Sequence, residues 1–161
     1  MKKFLILFLI IIPFVGFTQS KKTIRENKIH SQTTKKTIAK DTVFITYVQT
    51  YEEFDKNGKT TLKIKYDSKG VMRKKNSYVY DSFGNLTEEM EYSKKSGRTI
   101  KITYKYDTDG NCVEEVQTDS GGNILERKEF SYDKNGLIQK SIEYKGNGEV
   151  KWEKEYTYTE R

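Results

Sequence analysis

The chain has one cysteine, one histidine and, after residue 18, no long apolar run. Without a second cysteine there is no internal disulfide, so Cys112 is expected in a fold held by packing and hydrogen bonds alone. Cys112 aligns with Leu86 and Ile138 of neighbouring sequence copies, which marks it as a small apolar residue rather than a reactive thiol. His30 lies in a polar segment near the N-terminus, which excludes a histidine triad or a histidine-bearing zinc site from the repeated part of the chain. Asp107-Thr108-Asp109-Gly110-Asn111 superficially resembles a calcium loop, but its glycine does not follow a third acidic position and no Glu stands at the twelfth, and the equivalent segments lack Asp109, so it reads as a turn. No catalytic residue, cofactor or metal is expected.

What the chain does have begins with Lys2 and Lys3 ahead of an apolar run from Phe4 to Ile12, continuing through Pro13 to Phe17. This is the pattern of an export signal over residues 1–18, with Gly16-Phe17-Thr18 offering a cleavage site before Gln19. The run is short for a bilayer span, which takes about 20 apolar residues, and no cysteine follows it for lipid attachment. The expectation is an exported protein, periplasmic or secreted, without a transmembrane span once the signal is removed.

The formal net charge of +7 suggests nucleic acid until it is divided along the chain. Residues 21–40 carry seven Lys or Arg against Glu26 alone, whereas residues 41–161 hold 21 basic and 22 acidic side chains. The basic excess belongs to the N-terminal segment, and nucleic acid is not an expected partner. Residues 19–42, rich in Ser, Thr, Gln and Lys, read as a disordered basic leader, a solvated linker that is also able to touch an anionic surface.

The remainder, residues 43–161, is a repeat domain. Phe54, Tyr80, Tyr106 and Tyr132 stand 26 residues apart, each followed by Asp and, three residues after that Asp, by Gly. A weaker echo lies 12 residues into each copy, at Tyr66-Asp67, Tyr92, Thr118-Asp119 and Tyr144. Asp followed three residues later by Gly is a hairpin signal: the carboxylate accepts backbone N–H groups and glycine takes the left-handed conformation. The structural turn residues are therefore Asp55 and Gly58, Asp67 and Gly70, Asp81 and Gly84, Asp107 and Gly110, Asp119 and Gly122, Asp133 and Gly136, and Gly148.

Between turns the residues alternate apolar and polar with β-branched and aromatic enrichment, and no helical period follows the signal. The class is all-β, a single-layer antiparallel meander of about nine strands near residues 43–54, 59–66, 71–80, 85–92, 98–106, 111–118, 123–132, 137–144 and 149–158. The spacings of 12 and 14 between turns are both even. They predict one continuous apolar face of even-numbered residues, from Leu62 to Tyr158, on an open, curling sheet whose ladder slips by about two residues per copy. Such a face calls for curling, self-association through the face or the edge strands, or a bound partner.

Tyr80-Asp81-Ser82-Phe83-Gly84-Asn85-Leu86 and its equivalents at Tyr106 and Tyr132 resemble the tyrosine-aspartate (YD) repeats of the RHS family, over residues 54–158. The resemblance implies an exported or surface protein of Bacteroidetes type whose repeats build a spiralling β-sheet, some such repeats having been associated with carbohydrate binding. Four copies are too few to enclose a cargo. The function expected is a non-enzymatic binding or scaffold module at the cell envelope for a protein or glycan, with Tyr78, Tyr104 and Trp152 as mid-sheet ligand contacts. One alternative is a carbohydrate-active enzyme using sheet-face carboxylates such as Glu88 with Glu114. Another is an accessory or immunity protein for a secreted effector.

Overall fold

The computed structural model describes residues 20–40 and 43–159; the export signal expected over residues 1–18 lies outside the described residues. One helix, α1 (Lys21–Glu26), precedes ten strands: β1 (Ser31–Lys40), β2 (Val43–Phe54), β3 (Thr60–Tyr66), β4 (Met72–Tyr80), β5 (Leu86–Ser93), β6 (Arg98–Tyr106), β7 (Cys112–Asp119), β8 (Ile124–Tyr132), β9 (Ile138–Lys145) and β10 (Val150–Glu155). They form one open sheet in chain order, every neighbouring pair antiparallel. The leader is a correction to the sequence reading. It contains α1, capped by the Ser20 hydroxyl on the Thr23 N–H at 3.2 Å, and a tenth strand whose Ser31–Lys40 ladder runs along β2. Polar composition misled because β1 lies at the edge of the sheet, where Ser, Thr and Lys remain solvated on an ordered backbone.

Turns alternate between two rims. At Asp81 the backbone N–H donates to the Asn85 carbonyl at 3.0 Å, and the Gly84 N–H returns to the Asp81 carbonyl at 3.1 Å. The carboxylate closes the loop by accepting the Asn85 N–H at 2.8 Å. The same pair of backbone bonds recurs at Asp55, Asp67, Asp107, Asp119 and Asp133. The turn glycines have positive φ, from 67° at Gly97 to 93° at Gly84, as a type I turn closed by a left-handed residue requires.

Register holds the second correction. Tyr80 faces Leu86 as the spacing predicts, but Val79 then faces Glu88, so Thr87 is an extra residue in β5. The same bulge falls at Thr61, Val113 and Gln139 after the other turns of this upper rim. On the lower rim it falls at Arg73, Leu125 and Lys151. The turn between β5 and β6 has no bulge but is one residue longer, so Tyr92 faces Thr99. Every hairpin therefore reverses parity, and one shift of a single residue moves a strand's side chains to the other face.

Because directly opposed residues share a face, the registers define a front and a back. The front carries apolar groups from even-numbered strands, Tyr78, Ile100, Ile102, Tyr104, Phe130 and Trp152, and polar groups from odd ones, Lys63, Glu89, Glu91, Glu115, Ser141 and Glu143. The back is the complement: Leu62, Ile64, Met90, Tyr92, Val116, Ile142 and Tyr144, separated by Lys75, Lys101, Arg127, Glu129 and Glu153. A single apolar even face does not exist. Apolar stripes on both sides are flanked by Lys, Arg and Glu, whose aliphatic stems shield them while the charged heads stay in water. Among the described residues, Ile24 of α1 is the only apolar side chain that is fully buried.

The ladder also slips. The row through Val79 continues to Glu88, Thr103, Val116 and Arg127, and both Thr103 and Arg127 stand two residues short of the position one repeat onward from the preceding even-strand member. Such a stagger, added to the usual strand twist, carries a meander away from flatness.

Candidate functional site

The three predicted contacts share the front face. Tyr104 on β6 and Trp152 on β10 end one cross-strand row, Tyr104–Glu115–Lys128–Glu143–Trp152. Four strand spacings, about 19 Å, separate them. Tyr78 begins the adjacent row, Tyr78–Glu89–Ile102–Gln117–Glu126–Lys145. Tyr78 and Tyr104 lie on either side of Glu89, whose carboxylate is held by the Asn76 amide at 2.6 Å. Partial burial, then the Glu89 charge, pushes the Tyr78 phenol up to about 12. The Tyr104 phenol is raised by burial and then by Glu89 and Glu115. Both stay neutral, as hydrogen-bonding groups beside carboxylates.

Between Tyr104 and Trp152 lies an ionic ladder. Lys128 reaches Glu115 at 3.6 Å and Glu143 at 3.9 Å, while Lys151 holds Glu143 at 2.6 Å and Glu126 at 2.7 Å. Glu143 is only 5% exposed. The Lys151 ammonium, first by its hydrogen bond, holds that carboxyl below its ordinary range. The bulge at Lys151 is what turns its side chain to the front, next to Trp152, whose ring is covered by the Lys154 ammonium 4.5 Å from its centroid. The row is thus two aromatic groups bracketing alternating charges, not a continuous aromatic platform.

The rim tyrosines do something else. Tyr80, Tyr106, Tyr132 and Tyr158 donate their hydroxyls to the carbonyls of Thr60, Leu86, Cys112 and Ile138, each 20 residues back, at 3.0, 2.8, 2.7 and 2.8 Å. Tyr80, Tyr106 and Tyr132 each tie their strand to the preceding one, and Tyr158 ties the segment after β10 to β9. The strap was hidden in the sequence only by its separation: the signal was a tyrosine, and not merely an aromatic residue, at each position after Phe54.

Glu88 and Glu114, the carboxylates considered for catalysis, lie on the back face, bound by Lys101 at 2.6 Å and Lys105 at 2.6 Å respectively. Sequence reasoning also missed an open cleft of about 450 Å³ on that face, lined by Lys105, Glu114, Glu129, Ser131, Lys140 and Ile142. None of Tyr78, Tyr104 and Trp152 lines it. Among the described residues there is no metal-ligating cluster, and no helix is long and apolar enough to cross a membrane.

No protein-family model matches the chain, and no curated protein matches it. One similar solved structure, described as the crystal structure of TarM, shares 15% identity at a TM-score of 0.32, over 80% of this chain and 22% of that one. A likeness at that score carries no argument about fold or function.

Proposed function

We propose that the chain is an exported, non-enzymatic binding module of the bacterial envelope that takes a glycan on its front face. One observation carries this reading: Tyr78, Tyr104 and Trp152, from different repeats, share a face with Glu89, Glu115 and Glu143 between them. Aromatic faces stack on apolar sugar faces, and the part-exposed carboxylates of Glu89 and Glu115 accept hydrogen bonds from hydroxyls while the buried Glu143 stays with Lys151, so the alternation suits a polyhydroxylated chain laid across the strands. The rim tyrosines direct their hydroxyls to backbone carbonyls of the scaffold, so the reading rests on the part-exposed mid-sheet aromatics. The resemblance to tyrosine-aspartate repeats supports the same placement at the cell surface.

Glycan-array binding checks it. Tyr104→Ala and Trp152→Ala each weaken retention about tenfold, the scale of losing one stacked ring, while the back-face Tyr92→Ala leaves it unchanged. Binding that survives both front-face changes overturns the assignment, and capture of an envelope protein by the same residues transfers the site to a protein partner.

A further inference from the structure

α1 lies over the first two turns of the upper rim and makes a corner unlike the rest of the molecule. Its Lys21, Lys22 and Arg25 form one open cleft of about 450 Å³ with Asn57, Lys59, Ser82, Phe83 and Gly84. Lys28 and Lys56 line the neighbouring cleft beside Ile24 and Phe54. Against these six basic residues stand four acids with other engagements. Asp81 of the second turn is held by Asn85, and Glu52, in the cleft beyond Lys21, pairs with Lys63 at 2.8 Å. Glu26 lies 3.9 Å from Lys22, and the Asp55 carboxylate accepts the backbone N–H groups of Asn57 and Lys59 at 2.8 Å. The Lys59 ammonium donates to the Gly84 carbonyl and lies 4.9 Å from the Tyr80 ring centroid, which fixes charge beside the second turn.

At that second turn the repeat is broken. The third turn position is Asn57, Asp109 and Asn135 in the other copies but Phe83 here, 91% exposed. A bare aromatic tip among ammonium groups suits an interface whose surface is anionic and whose interior is apolar.

We infer that this corner docks on an anionic lipid bilayer, Lys21, Lys22 and Arg25 meeting the headgroups and Phe83 entering the interface. A soluble acidic polymer satisfies the charges but gives Phe83 no role, which is why a lipid surface is favoured.

The mature exported protein, recovered after its own signal has directed export, is co-sedimented with vesicles of phosphatidylcholine alone or mixed with phosphatidylglycerol. Binding is expected only to the anionic vesicles and weakens with salt. Each basic residue near such a surface contributes about fivefold, so Lys21→Glu with Arg25→Glu lowers binding more than tenfold. Phe83→Asn, which restores the residue found in the first and fourth copies, lowers it severalfold and keeps the fold. Lys69→Glu with Lys95→Glu makes the same charge change on the lower rim and leaves binding intact. Equal losses from both charge reversals, equal binding to neutral vesicles, or no vesicle binding overturn the inference. So does alginate binding as tight as vesicle binding and indifferent to Phe83→Asn, which assigns the corner to acidic polymers.

Discussion

The two rims of the sheet are built from the same turn but enforce it differently. On the upper rim each copy after the first adds a tyrosine whose hydroxyl reaches a carbonyl of the preceding strand. On the lower rim the pattern loosens: the β5–β6 turn is longer, Thr118 stands where a tyrosine would be, and Tyr144 donates to the Glu129 carboxylate at 2.9 Å. Side chain-to-backbone straps fix geometry in a way that solvent-facing ion pairs do not, since exposed pairs contribute only about 0–1 kcal/mol. The 26-residue period is therefore held by the strapped rim, and the other rim is free to vary.

The largest contrast between the rims is expected at the glycines of the first copy. Gly58 on the upper rim has φ 76°, and a Cβ there would come within 2.3 Å of the Lys21 carbonyl oxygen; Gly70 on the lower rim has φ 74° and open space. Gly70→Ala should cost only the left-handed strain, about 1–2 kcal/mol. Gly58→Ala adds a backbone clash and should cost about 3 kcal/mol or more while displacing α1. Urea denaturation measures both, and equal losses would show that α1 does not rest on the turn.

A smaller contrast tests the strap itself. Tyr106→Phe and Tyr132→Phe keep the ring and remove one hydrogen bond to a carbonyl, so each should lose about 1 kcal/mol. Tyr92→Phe on the lower rim, with no strap among the described residues, should lose nearly nothing. If the three behave alike, the hydroxyls are not what distinguishes the rims.

Turns, strand positions and the two-residue slip were legible because Asp, Gly and period-two alternation each act locally. The bulges were not. The bulge positions carry side chains as different as Thr87, Val113, Gln139, Arg73, Leu125 and Lys151, and an extra residue beside an even spacing leaves no trace in turn-to-turn counts. The consequence was large for the site: Tyr78, Tyr104 and Trp152 do share a face, but Leu62, Met90 and Ile142 do not join them, and Glu89, Glu115 and Glu143 do. α1 was hidden for another reason. Six residues with one buried isoleucine have too little periodic signal to announce a helix, which the first turn stabilises by contact.

The turns also divide by whether they contain aspartate, and pH separates the two kinds. Asn111, by its side chain and then its N–H, holds the Asp107 carboxyl below its ordinary value, and Asn123 does the same for Asp119. A carboxyl depressed on folding contributes stability above the unfolded pKa, about 3.9, and loses it as pH falls through the lower folded value. The Asn111 and Asn123 amide resonances should therefore titrate together below about pH 4. The Gly97 amide, which donates to the Ser93 carbonyl at 2.9 Å in a turn without aspartate, should not move with them.

The smallest effect lies at the opposite end of the scale, in mid-sheet. Tyr78 is raised to about 12 by burial and then Glu89. A phenol raised on folding contributes stability that is complete below its unfolded pKa of about 10 and is lost as pH rises through the folded value. Tyr78→Phe should consequently remove this component of the stability loss above about pH 10 and delete one late component from the alkaline phenolate absorbance titration. Glu89→Gln should move that component earlier by removing the neighbouring negative charge. A Tyr78 component unmoved by Glu89→Gln would mean that burial alone sets it.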